Sequence, residues 1–154
     1  MTPVELERRL AELEQRVAAL EGGTTPAEGG GTLGYRGRVT LGGEPVERHV
    51  DVTPAHALHL DDRPRLEVLA ALAHPVRVDI VRCLLGAGSR PSTALQEAAG
   101  LGSTGQLYHH LKALTAAGVV EQDRRGSYRL RPEATVPVLV LLTAAADVAG
   151  QLRS

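Results

Sequence analysis

The apolar positions of this chain change period several times, and each change marks an element. Between residues 3 and 21, Leu6, Leu10, Leu13, Val17 and Leu20 alternate spacings of four and three. That is the seam of a short coiled coil, with Leu6, Leu13 and Leu20 at d and Leu10 and Val17 at a. Residues 35–52 switch to period two. Tyr35, Val39 and Leu41 fall on one face, Arg36, Arg38 and Thr40 on the other, and Gly42-Gly43-Glu44-Pro45 leads into Val46 to Val52, which predicts a β-hairpin. From residue 62 the helical period returns. Asp62 with Pro64 starts a helix whose Leu66, Leu69, Ala70 and Ala73 share a stripe; Pro75 starts another that buries Val76, Ile80 and Leu84 and ends at Gly86 and Gly88. Ser92 to Ala99 predicts a short helix. Ser103 followed three residues later by Gln106 is a capping-box pattern, so the next helix starts near Thr104, turns Leu107, Leu111 and Leu114 inward, and stops at Gly118. Val119 and Val120 open a strand, Asp123-Arg124-Arg125-Gly126 turns it, and Ser127 to Leu130 returns it. Pro132 and Pro137 bracket the start of a last helix, apolar on nearly every side from Val138 to Ala146 and therefore expected to be buried on every side.

A helix, a short connection, a second helix with a polar outward face and then a hairpin is the layout of a winged helix-turn-helix. The fold class expected is mainly α with a small β content. The expected organisation is a coiled-coil helix at 1–22, a flexible linker at 23–34, a β-hairpin and connection at 35–60, and the winged helix-turn-helix at 61–150. The linker rests on GGTTPAEGGGTLG at 22–34, whose six glycines and one proline offer nothing to pack. An isolated hairpin is marginal in water, so the one at 35–60 is expected against the helical domain, a dimer mate or a ligand, as a packing or a sensory element.

Charge alters the picture locally rather than globally. The chain holds 17 Lys+Arg against 18 Asp+Glu, a net of −1, which argues against indiscriminate nucleic-acid binding. Residues 103–131, however, carry Lys112, Arg124, Arg125, Arg129 and Arg131 against Glu121 and Asp123, the footprint of a small DNA-reading module. In the coil, Arg9 and Arg16 fall at g and Glu14 and Glu21 at the following e. A parallel pair would form Arg9–Glu14 and Arg16–Glu21 bridges between chains, and an antiparallel pair would oppose like charges. An amphipathic helix packed on its own domain is the alternative. Three Tyr with no Phe or Trp leave a thin aliphatic core, which favours dimerisation.

The segments LAALAHPVRVDIVRCLL at 69–85 and PSTALQEAAGLGSTGQLYHHLKAL at 91–114, with the wing to Leu130, resemble the arsenic-repressor (ArsR) family of dimeric winged-helix bacterial regulators. The most specific pieces are Ala-His-Pro-x-Arg at 73–77 and His-His-Leu-Lys at 109–112 before Ala117-Gly118. The resemblance covers about residues 62–150 and implies pairing of the first and last helices of the domain across a two-fold axis. Two departures stand out. GSTGQLY is a residue longer before the paired histidines than the commoner pattern, and the metal ligands of the sensing members are missing. Ser92 to Ala99 has no Cys or His, and residues 132–154 offer only Glu133 and Asp147.

A soft-metal site needs several thiolates or imidazoles, and the one cysteine, Cys83, sits beside Ile80 and Leu84 as a small hydrophobe. His74, ahead of Pro75, is placed to serve its helix start, and His110 sits at the edge of the leucine face as a packing residue. His49, His56 and His59 have no recognised ligand spacing. GLGSTG at 100–105 lies between helices rather than after a strand, so it is no dinucleotide loop. Met1 leads straight into a charged helix, so no signal peptide is expected; the longest apolar run, near the C-terminus, falls short of the ~20 residues that span a bilayer, and a lone Cys suits a reducing cytoplasm.

Residues and resemblance together imply a cytoplasmic homodimeric transcriptional regulator that is not an enzyme and has no cofactor, metal or membrane partner. Double-stranded DNA would be contacted by Ser103, Thr104, Gly105, Gln106, Tyr108, His109, Lys112, Arg124, Arg125 and Ser127. The dimer would use Leu6, Leu10, Leu13, Val17, Leu20, Leu66, Leu69, Leu139 and Leu142. Repression is the expected direction, and a small-molecule or protein effector is expected to act through the N-terminal part. The alternative is an adaptor that uses the coil and wing to bind another protein.

Overall fold

The computed structural model describes residues 2–20 and 30–153. The expected linker therefore lies, up to residue 29, outside the described residues, as do Glu21 and the side chain of Leu20. The chain divides into two compact units, residues 1–33 with 52–59 and residues 34–51 with 60–154.

In the first unit, α1 (Pro3–Leu20) begins at Thr2, whose carbonyl accepts from the N–H groups of Glu5 at 3.0 Å and Leu6 at 3.1 Å. Leu6, Leu10, Leu13 and Val17 are all exposed. The short helix α2 (Pro54–His59) falls where the sequence predicts only a connection. Thr53 caps it, its hydroxyl accepting from the His56 N–H at 3.1 Å, and Pro54 stands where a missing N–H costs nothing. Six residues are too few for a periodicity to register.

The second unit contains the hairpin. Strands β1 (Leu33–Val39) and β2 (Val46–Val52) form a two-stranded sheet. Tyr35, Gly37 and Val39 are half-buried and Arg36 and Arg38 exposed, in the expected alternation. Leu41, expected on the inner face, lies beyond the strand and is exposed. The hairpin rests on the helical part of the unit through glycines. A Cβ on Gly37 would stand 2.8 Å from Val136 Cγ1, and one on Gly88 would collide with the carbonyl oxygen of Gly42. Gly42 and Gly88 also have φ of 62° and 73°, which favours glycine at both.

Four helices follow: α3 (Asp62–Leu72), α4 (Pro75–Ala87), α5 (Ser92–Ala98) and α6 (Thr104–Ala116). Their starts are side-chain caps. Asp61 accepts from the Arg63 N–H at 3.1 Å, His74 Nδ1 from the Val76 N–H at 3.2 Å, and Ser103 Oγ from the Gln106 N–H at 3.2 Å. Strands β3 (Arg90–Pro91), β4 (Val120–Arg124) and β5 (Ser127–Leu130) form an antiparallel sheet in the order β3-β5-β4, and α7 (Pro132–Val148) closes the unit. The fold is mostly helical with little strand, and the second unit is a winged helix-turn-helix. Ile80, Val81, Leu95, Leu107 and Leu114 lie wholly inside, Leu111 and Val138 nearly so.

Two helices of the second unit leave apolar surface uncovered in the single chain. On α3 the inward residues are Val68, Ala71 and Leu72, while Leu66 and Leu69 remain 57% and 47% exposed. The helix carries two apolar stripes at helical spacing, and periodicity does not rank them. On α7 only Val136 and Val138 are buried; Leu139, Leu141 and Leu142 are half-buried, Thr143 to Ala145 exposed, and Val148 is 86% exposed. One chain has too little surface to cover an all-apolar helix. Among the described residues no helix is long and apolar enough to cross a membrane.

Candidate nucleic-acid interface

The inward stripe of α6 fixes what faces out. With Leu107, Leu111 and Leu114 held in the core, Thr104, Gly105, Gln106, Tyr108, His109 and Lys112 are exposed, as is the capping residue Ser103. Two turns of helix thus present a row of hydrogen-bonding side chains at the end where backbone N–H groups are free.

The wing stands beside this helix. β4 and β5 pair with a bulge between Gln122 and Arg124, and Gly126, with φ of 77°, makes the tip. Arg124 and Arg125 are exposed, and among the described residues neither they nor Lys112 have a carboxylate within 4 Å. Ser127 is half-buried. The other two cations of the segment are engaged. Arg129 Nε lies 2.9 Å from Glu121 and its Nη1 3.7 Å from Asp123, while Arg131 donates to the Gly118 carbonyl at 3.3 Å and lies 3.9 Å from Glu133. The usable basic set is accordingly narrower than the sequence count, because cross-strand pairing is a non-local fact.

β3 adds something the sequence reading missed. Arg90 stands opposite Tyr128 in the wing sheet, and the Ser92 N–H donates to Gly126 O at 2.8 Å, tying the start of α5 to the wing tip. Arg90 is exposed and has no carboxylate within 4 Å among the described residues, a further unpaired cation of the wing sheet. A two-residue strand has no periodicity, and only the Arg-Pro pair ahead of Ser92 hinted at an extended segment. Between α6 and the wing runs a shallow cleft of about 400 Å³ lined by Tyr108, Lys112, Gln122 and Tyr128. Burial and the neighbouring Tyr108 push the Tyr128 pKa up, so its hydroxyl is a donor.

Behind the helix lies a group of imidazoles. His110 packs on His74 with ring centroids 4.6 Å apart and on His109 at 5.5 Å. Burial first, then the charges of His74, Arg77 and His109, hold the His110 pKa below its ordinary value. His110 Nδ1 and Arg77 Nε are buried without hydrogen-bond partners among the described residues. His74 serves as the cap the sequence indicated. Cys83 is half-buried against the core. Among the described residues, no three His, Cys, Asp or Glu side chains are grouped to hold a metal ion.

Residues 72–123 match the model of a helix-turn-helix domain family. The order of its elements makes the second unit a winged helix-turn-helix domain. One similar structure is the homodimeric winged helix-turn-helix DNA-binding domain of Mb0332 from Mycobacterium bovis, a possible ArsR-family transcriptional regulator. It is 28% identical and covers 62% of this chain and 88% of that one, with a TM-score of 0.48. Another is the transcriptional repressor BigR from Xylella fastidiosa, 28% identical over 58% of this chain and 94% of that one, also with a TM-score of 0.48. No curated protein matches the chain.

Proposed function

We propose that the chain is a sequence-specific DNA-binding transcriptional regulator that acts as a homodimer on an inverted-repeat operator, as a repressor, and without sensing metal. The observation that carries this reading is the polar row on α6 beside the unpaired Arg124 and Arg125. A helix in the major groove with a basic hairpin against the flanking backbone needs that arrangement, base readers on the helix and phosphate contacts on the wing. An adaptor would instead need an aliphatic outward face on α6. The dimer would bury the open stripe of α3, Leu66 and Leu69, against α7, including Leu139 and Leu142, with Leu6, Leu10, Leu13 and Val17 of α1 in a parallel coil. Repression follows because a bound dimer occludes a promoter without further contacts. The protein would work in the bacterial cytoplasm, and an effector would act through the N-terminal part.

Binding to the protein's own promoter, measured as a function of salt, tests the reading. Arg124→Ala with Arg125→Ala should weaken binding on every sequence and flatten the log–log salt dependence by roughly one unit per lost phosphate contact. Gln106→Ala should instead change sequence preference, by about 1–3 kcal/mol at one position. Unaltered binding by both variants would refute the assignment of the interface.

A further inference from the structure

A cavity of the second unit lies away from the candidate DNA-facing surface. It measures about 510 Å³ and lies between the turn of the β1–β2 hairpin, the end of α4 and the root of the wing. That volume is within the roughly 300–1,000 Å³ usual for small-molecule sites. Leu84 and Leu85 of α4 form an apolar floor, Glu44 and Glu47 of the hairpin one wall, and Asp123 and Arg129 of the wing the other. The cavity is built into the fold, since the Gly42–Gly88 contact seats the hairpin turn on the residues that follow α4.

Charge decides what would fill it. Three carboxylates and one guanidinium line the cavity, and Arg129 is already held by Glu121, outside the lining, as well as by Asp123. Glu44 and Glu47 have no cationic partner within 4 Å among the described residues. An anion entering here would meet uncompensated carboxylates. A cation with an apolar body would pair with them while covering the leucine floor, the combination of few polar anchors and apolar wall that small-ligand sites use.

We propose that this cavity between hairpin and wing is a binding site for a small organic cation with an apolar body. Asp123 is the bulged residue next to Arg124, so a ligand cation there competes with Arg129 for Asp123 and reaches the strand that carries the wing tip. The effect on DNA rests on the function proposed above; the binding does not.

The test uses the full chain without DNA and the fluorescent lipophilic cation rhodamine 6G, followed by fluorescence polarisation at low salt. Saturable binding at one site per chain is expected. Glu44→Gln with Glu47→Gln, both exposed and therefore tolerated by the fold, should bind roughly tenfold more weakly. Glu97→Gln, on the exposed face of α5, should bind like the unaltered protein. Fluorescein, an anion of similar size, should not bind, and Glu44→Lys with Glu47→Lys should reverse the preference between the dyes. Absence of rhodamine binding, equal binding by the double Gln variant, or uptake of fluorescein by the unaltered protein would overturn the proposal. Since no DNA is present, none of these results bears on operator recognition, and a protein that failed to bind its promoter could still be titrated.

Discussion

The side chains that decide this molecule's behaviour act through near neighbours, and local caps were readable while distant pairings were not. Ser103 and His74 cap their helices within two or three residues, a distance that a sequence displays directly. Arg129 is paired with Glu121 and Asp123, and Arg131 hydrogen-bonded to the Gly118 carbonyl, groups that come near only once the wing has folded. His110 yields a pH prediction. Because its pKa in the folded protein lies below the ordinary value of 6.5, the unfolded chain takes up that proton first as pH falls. The site's contribution to stability is complete above about pH 6.5 and is lost as pH drops toward the lowered value. The urea midpoint should therefore decline between pH 7 and pH 5, and His110→Gln should decline less; parallel profiles would exclude the imidazole as the cause. Two glycines give an opposed pair. Gly88→Ala forces a side chain into the left-handed region and onto Gly42, and should destabilise by about 1–3 kcal/mol. Gly86→Ala, in α4 with open space around it, should stabilise by about 0.4–1 kcal/mol. Thermal melts of the two variants should move in opposite directions.

Elements long enough to repeat a period were legible: α4, α5, α6, the wing strands and the N-terminal hairpin all fall close to where the pattern puts them. The short α2 and β3 escaped because they hold too few residues to repeat anything. On α3 the packed core takes Val68 and Leu72 and leaves Leu66 and Leu69, at equal helical spacing, open. That open pair is the one expected at the dimer interface. Leu66→Glu with Leu69→Glu should leave the far-ultraviolet circular dichroism intact and shift the protein toward monomer in sedimentation velocity. Leu107→Ala, by contrast, empties a fully buried site and should cost about 2–5 kcal/mol of unfolding free energy with no direct effect on self-association. A dimer unaffected by the first pair would exclude α3 from the interface.

For the whole molecule the near-zero net charge argues against indiscriminate attraction to DNA and leaves the local charge of α6 and the wing, where Lys112, Arg124 and Arg125 stand without carboxylate partners among the described residues, to supply it. The first 60 residues do not behave as a single appendage. Residues 34–51 cluster with the helical domain, whereas 1–33 and 52–59 form the other unit. A division at residue 61, natural from composition, would strip the hairpin from Val136; a chain beginning at residue 30 removes α1 and keeps the hairpin. That shortened protein should still bind promoter DNA but dimerise more weakly, by sedimentation at several concentrations. The central claim is that two α6 helices, related by a two-fold axis, read DNA together. Selection of bound sequences from a random DNA pool by the purified full chain tests it most directly. The account predicts enrichment of an inverted repeat with half-sites about one helical turn, or a multiple of it, apart. Recovery of direct repeats, or of no shared sequence at all, would contradict it.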